Sequence, residues 1–93
     1  MEAKLLTRRG IYRGQVQGVG FRRRTERIAR SYPVAGYVRN LDDGSVELEV
    51  EGEPDAVERF LAAVADELGR GIDTVDFSDL PARGFRGFEI KRS

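Results

Sequence analysis

The chain contains no cysteine and no histidine among its 93 residues, and only one methionine. Without cysteine there is no disulfide framework, no thiolate nucleophile and no cysteine-bound metal. Without histidine the usual general base, a phosphohistidine route and most zinc sites are gone as well. Long apolar runs are also missing. The longest fall far short of the roughly 20 residues that span a bilayer. The N-terminal stretch Met1-Glu2-Ala3-Lys4-Leu5-Leu6-Thr7 lacks an apolar region of signal-peptide length. A cytoplasmic location is the default expectation, although a zero cysteine count fits any compartment.

What is present suits one globular domain spanning residues 1–93, with 40% apolar and 34% charged residues. That length supports a modest two-layer core and no second lobe. The 16 basic and 16 acidic side chains cancel, but unevenly. Residues 1–40 carry ten Lys/Arg and two Asp/Glu, a net +8, and residues 41–93 carry the opposite excess. The basic half favours an anionic ligand.

Periodicity divides the chain. Residues 5–14 read as a strand, with Leu6, Ile11 and Tyr12 as β-compatible residues. Gln15–Phe21 is a loop. Arg22–Tyr32 is a helix, because Phe21, Thr25, Ile28, Ala29 and Tyr32 fall on one face. Its other face carries Arg23, Arg24, Glu26, Arg27 and Arg30, read as a solvated stripe. Pro33 ends it. Val34–Leu41 and Ser45–Glu51 are strands joined by Asp42-Asp43-Gly44, a short hairpin loop with Gly44 in the left-handed position. That loop sets the register: Val38 faces Leu48 inward, and Arg39 faces Glu47 as an outward ion pair. Pro54–Leu68 is a second helix, with Val57, Phe60, Leu61, Val64 and Leu68 on its apolar face. Gly69-Arg70-Gly71 breaks it. Ile72–Leu80 and Phe85–Lys91 are strands, the latter with Phe88 and Ile90 inward. The order β-α-β-β-α-β, plus an extra strand near the end, is the ferredoxin-like α+β arrangement: an antiparallel sheet with two helices on one face.

One segment stands out: Gly14-Gln15-Val16-Gln17-Gly18-Val19-Gly20-Phe21-Arg22. Glycines permit positive φ and close approach of an anion to the main chain. A helix start adds unpaired N–H groups and a favourable dipole. Arg22 adds a planar, permanently charged fork that matches phosphate oxygens. The plainer reading is a glycine-rich turn beside a solvated arginine. Topology adds a second residue. In a split β-α-β unit the C-terminal ends of strands one and two share a sheet edge, so Asn40 converges on the glycine loop. Asn40 falls on the helix-covered face, where its amide either caps the strand end or serves a ligand. Gly36 on that face is expected to leave room for a side chain or ligand.

The absences then narrow the chemistry. The loop has no Cys, Ser, Thr or Asp, so an attacking nucleophile is water. With no histidine, such a site offers positioning and charge stabilisation. Asp42 and Asp43 are turn formers before they are metal ligands. Positioning suffices for a reactive phosphate. An acyl phosphate qualifies, because its carboxylate leaving group needs no proton.

Val16-Gln17-Gly18-Val19-Gly20-Phe21-Arg22 and Gly36-Tyr37-Val38-Arg39-Asn40, followed by Asp43-Gly44-Ser45-Val46, Gly52 and the closing Gly87-Phe88-Glu89-Ile90, resemble the signatures of acylphosphatases. The resemblance covers nearly the whole chain, and both motifs occur in order at the right spacing. It implies a small ferredoxin-like enzyme that hydrolyses the carboxyl–phosphate bond of acyl phosphates without metal or cofactor. It implies that Arg22 and the main-chain N–H groups of Gln15, Val16, Gln17, Gly18, Val19, Gly20 and Phe21 bind the phosphate. Asn40 then orients the attacking water. The expected partners are an acyl phosphate and inorganic phosphate, as product or inhibitor, with no nucleic acid, no membrane and a monomeric state. Gly10, Arg13, Arg70 and Tyr32-Pro33 depart from the usual pattern and bear on local packing.

Two other readings compete. One is a noncatalytic anion-binding or regulatory module on the same fold. The other is an RNA-binding domain, which needs exposed aromatics on central strands. The third strand instead presents Glu47, Glu49 and Glu51, which repel a phosphate backbone.

Overall fold

A computed structural model of the chain describes residues 4–92. The N-terminal stretch read above for a leader begins outside these described residues, and Ser93, the last residue of the expected domain, lies outside them. The elements are β1 (Leu6–Gly14), α1 (Phe21–Ala29), β2 (Ala35–Asn40), β3 (Val46–Gly52), α2 (Pro54–Leu68), β4 (Ile72–Leu80) and β5 (Phe88–Ile90). A 3₁₀ turn over Gly69–Gly71 links α2 to β4. The sheet order is β4-β1-β3-β2-β5, so β3 lies between β1 and β2 and antiparallel to both. The short β5 runs parallel to β2, which places Ile90 beside Val38. This is the expected ferredoxin-like architecture with its extra strand.

The hairpin register is as the turn dictates. Val38 pairs with Leu48 and Arg39 with Glu47. Gly44 has φ +92°, and Leu41 N–H donates to Ser45 O at 2.8 Å. Two boundaries differ from expectation by more than one residue. Helix α1 ends at Ala29 rather than Tyr32, because Arg30, Ser31 and Tyr32 donate to carbonyls three residues back and tighten the turn before Pro33. The last strand starts at Phe88 rather than Phe85. The amides of Arg83, Gly84 and Phe85 are instead turned onto the carboxylate of Glu51.

Helices α1 and α2 cover one face of the sheet. There Val38, Val46, Leu48, Val50, Val57, Phe60 and Val64 are fully buried. The opposite face departs from expectation, since Glu47, Glu49 and Glu51 are buried too. Alternation along β3 marks that face as polar but says nothing of what lies over it. Arg9 and Arg39 both donate through Nε to Glu47, and Tyr37 Oη lies 2.9 Å from Glu47 and 2.8 Å from Glu49. Arg83 Nε sits 2.9 Å from Glu49. Thr7 Oγ1 and three loop amides bind Glu51. Phe85 closes edge-on over Tyr37, with ring centroids 5.9 Å apart.

Three sequence peculiarities find their reasons here. Gly36 does not make room for a ligand. Its φ is +149°, and a Cβ there would overlap the Glu49 carbonyl, so it serves the close approach of β2 and β3. Gly10 leaves space for the Phe77 ring, which lies 2.9 Å from where a Cβ would stand. Arg13 pairs with Asp76 across β1 and β4 at 2.7 Å.

Candidate active site

The loop after β1 is anchored at both ends by apolar side chains. Val16 and Phe21 are buried in the core, and the Phe21 ring packs 5.4 Å from that of Tyr12. Chain direction is set at the start by Gln15, whose N–H donates to Gly71 O at 2.8 Å. Between these anchors Gly18 and Gly20 adopt φ +75° and +80°. Gly20 is the N-cap of α1 and offers no side chain to cap it; its carbonyl accepts the Arg24 N–H at 2.9 Å. Among the described residues, the amides of residues 16–23 donate to no protein acceptor. A row of unpaired N–H groups at a helix start, with no acidic residue in the first turn, is a strong attractor for an anion.

Gln17 joins this loop to the hairpin. Its Nε2 donates to the carbonyls of Leu41 and Ser45, each at 2.8 Å. Those residues flank the turn that follows Asn40, so one amide ties the glycine loop to the end of β2. The turn itself is held by Asp43, which accepts from Ser45 N–H at 2.9 Å and from the Ser45 hydroxyl. Those bonds, the hydroxyl first, hold the Asp43 carboxyl below the usual carboxylate range. Asp43 is therefore a turn former. Among the described residues no cluster of three or more His, Cys, Asp or Glu side chains is arranged to hold a metal.

A cleft of about 270 Å³ opens at this edge, lined by Val16, Gly18, Gly20, Phe21, Arg22, Arg23, Asn40 and Ile90. It brings together six of the nine residues singled out from the sequence. Gln15 and Val19 line a neighbouring hollow with Arg24, Glu67, Leu68, Arg70 and Gly71. Gln17 lines neither and acts as the clamp just described. Arg22 makes no ion pair and no side-chain hydrogen bond among the described residues. Asn40 Oδ1 is buried and has no partner. An orphaned acceptor of this kind costs about 1–3 kcal/mol, which a bound water or ligand recovers. No carboxylate lines the cleft, so the arrangement binds and positions an anion but holds no side-chain base.

Sequence reasoning missed two residues here, Arg23 and Ile90, and the role of the Gln17 side chain. Arg23 was grouped with the solvated stripe, although its neighbour Arg22 was not. Ile90 was assigned to the core, yet it is 37% exposed at the cleft, because β5 pairs in parallel with β2. The Gln17 clamp had one signal, a long amide flanked by a buried valine and a glycine.

Comparison with known proteins adds independent findings. A family model described as Acylphosphatase matches residues 8–90. The chain is 49% identical over 82 residues to an acylphosphatase of Salinibacter ruber, covering 85% of each chain. It is 46% identical over 79 residues to one of Thermotoga maritima, covering 84% of this chain and 88% of the relative. Its fold matches the crystal structure of acylphosphatase from Bacillus subtilis with a TM-score of 0.85 at 34% identity, over 92% of this chain and 98% of that one.

Proposed function

This chain belongs to the acylphosphatase family and is an acyl phosphate hydrolase, and from that premise we propose how its cleft performs the reaction. The phosphate sits in the glycine loop, held by the free amides of residues 16–21 and by the Arg22 guanidinium, whose fork takes two oxygens at once. The Gln15 amide, already bonded to Gly71, stands outside this set. Asn40 holds a water in line with the bond to be broken. The water oxygen bonds to phosphorus as the bond from phosphorus to the acyl oxygen breaks. The carboxylate leaves without needing a proton. The water's proton passes to a phosphate oxygen or to bulk solvent, since no side-chain base lines the cleft. Catalysis here is positioning plus stabilisation of charge already present on the phosphate.

The observation that carries this reading is the buried, unpartnered Oδ1 of Asn40 in the same cleft as an unpaired Arg22. Benzoyl phosphate hydrolysis in the presence of a chelator tests it. Arg22→Ala abolishes both turnover and inhibition by phosphate, and Arg22→Lys restores little. Asn40→Ala lowers kcat by about 10²-fold with KM nearly unchanged. Full activity in Arg22→Ala sinks the assignment, and phosphate binding without any wild-type turnover favours a noncatalytic module. The same reading has the enzyme working without metal or cofactor, as a cytoplasmic monomer, with neither nucleic acid nor membrane as a partner. No helix among the described residues is long and apolar enough to cross a membrane. Sedimentation of the purified chain at working concentration checks the monomer.

A further inference from the structure

The cleft does not end at Arg22. It continues into a groove of about 440 Å³ lined by Arg23, Arg24, Glu26, Arg27, Arg30 and Ile90. Arg23 and Ile90 belong to both, so they form the shared wall. The cations of this groove differ in what they are already doing. Arg24 and Arg27 both reach Glu67, at 3.3 and 3.6 Å, and Arg30 lies 3.8 Å from Glu26. Arg23 makes no ion pair among the described residues. Its place in the helix is also unfavourable. It stands in the first turn of α1, which holds no acidic residue and where the helix dipole opposes a cation. Glu26, three residues on, makes its ion pair with Arg30 instead, and Arg22 alone already supplies the fork that the phosphate requires. Next to this spare cation, Ile90 exposes an aliphatic side chain.

We propose that Arg23 is a specificity-determining residue that reads a second anionic group on the acyl portion of the substrate. The acyl chain lies along Ile90 and ends at the Arg23 guanidinium, so acyl phosphates with a terminal carboxylate or phosphate are favoured over uncharged ones. This rests on the reading of Arg22 and Asn40 given above. It takes no part in bond breaking, so its signature lies in KM rather than kcat.

Succinyl phosphate and butyryl phosphate test it, because their acyl chains are of similar length and differ in the terminal carboxylate. The ratio of their kcat/KM values is the readout, and a loss of folded protein cancels from it. The wild type gives a ratio of about tenfold or more, carried by KM, as expected for a hydrogen-bonded charge pair in a cleft. Arg23→Gln brings the ratio close to one, Arg23→Lys restores part of it, and Arg27→Gln leaves it in place. A wild-type ratio near one overturns the inference, as does a ratio that survives Arg23→Gln. A ratio lost equally in Arg27→Gln also overturns it, since that marks a diffuse basic field. If the wild type hydrolyses neither compound, the reading of Arg22 and Asn40 fails instead.

Discussion

Along the central strand β3 the two faces of the sheet are both buried, but by opposite means. Strand β3 supplies both. Val46, Leu48 and Val50 point toward α1 and α2, where burial of apolar area, which has no direction, does the holding. Glu47, Glu49 and Glu51 point the other way and lie under arginines, a tyrosine and the 81–87 segment. There the carboxylates depend on particular donors at particular angles, and Glu49 Oε1, with Arg83 Nε 2.9 Å away, is buried without a hydrogen bond. The first face tolerates exchange of shape for similar shape. The second loses most when one member is removed and its partner is left buried without a counter-charge. Even the exceptions are instructive. On the apolar face, among the described residues, the buried oxygens without partners are Thr25 Oγ1 and Asn40 Oδ1, and Asn40 lines the cleft beside the glycine loop.

The comparison can be broken most severely on the apolar side. Phe60 is fully buried between Tyr32 and Phe88. Phe60→Ala is expected to cost about 3–5 kcal/mol in urea denaturation. The specific activity of the folded fraction should stay near that of the wild type, because Phe60 does not line the cleft. On the polar side, Glu51→Ala strands Thr7 Oγ1 and the amides of Arg83, Gly84 and Phe85, at about 2–3 kcal/mol. Hydrogen exchange should then rise first in residues 81–87, well ahead of the core. Uniform acceleration throughout the chain would show that the two faces fail together.

Acid separates the faces without mutation. Burial pushes the Glu47 carboxyl up, and hydrogen bonds from Arg9, Tyr37 and Arg39 outweigh it, so the group sits below its ordinary value. Glu51 behaves alike, with Thr7 and the loop amides outweighing burial. A lowered folded-state pKa means that the unfolded chain takes up protons first. This stabilisation is complete above the ordinary glutamate value of about 4.3 and is lost as pH falls through the lower folded values. The urea midpoint should therefore drop across that window, and Glu47→Gln should flatten the drop. A wild-type midpoint constant between about pH 5 and pH 3 would contradict the network.

The smallest effect falls on the cleft. Asn40 Oδ1 has no protein partner, and a bound water satisfies it, so Asn40→Ala should change stability by no more than about 1 kcal/mol while lowering kcat. A loss well beyond that in urea denaturation would mean that the amide holds the strand end together rather than a water.

Local punctuation made some of this legible. Pro54 and Gly69 bracket α2 at its observed ends, and the Asp42–Gly44 turn sets the β2–β3 register. The meeting of the glycine loop with Asn40 followed from topology, since β1 and β2 must run parallel on either side of β3. The burial of Glu47, Glu49 and Glu51 was not legible, because its cover comes from strands β1 and β2 and from Arg83 and Phe85, distant in sequence. Residues 85–87 look like strand, yet the Phe85 amide serves a carboxylate and Gly87 takes φ +68°. Ile90 was misjudged for a related reason. Its exposure, and the cleft it forms with the solvated Arg23, depend on how β5 docks beside β2, which no periodicity encodes.

The glycine loop has one more consequence. At Gly18 nothing lies within 4 Å of where an L-side chain's first carbon would stand, so it is not crowding that calls for glycine there. The requirement is the positive φ, which Gly18 shares with Gly20. The cradle is thus specified by handedness more than by size. Its two turning points lie in the backbone region natural to mirror-image amino acids, and the shape proposed to receive the phosphate is one that a chain of L-residues reaches most readily where it gives up its chirality.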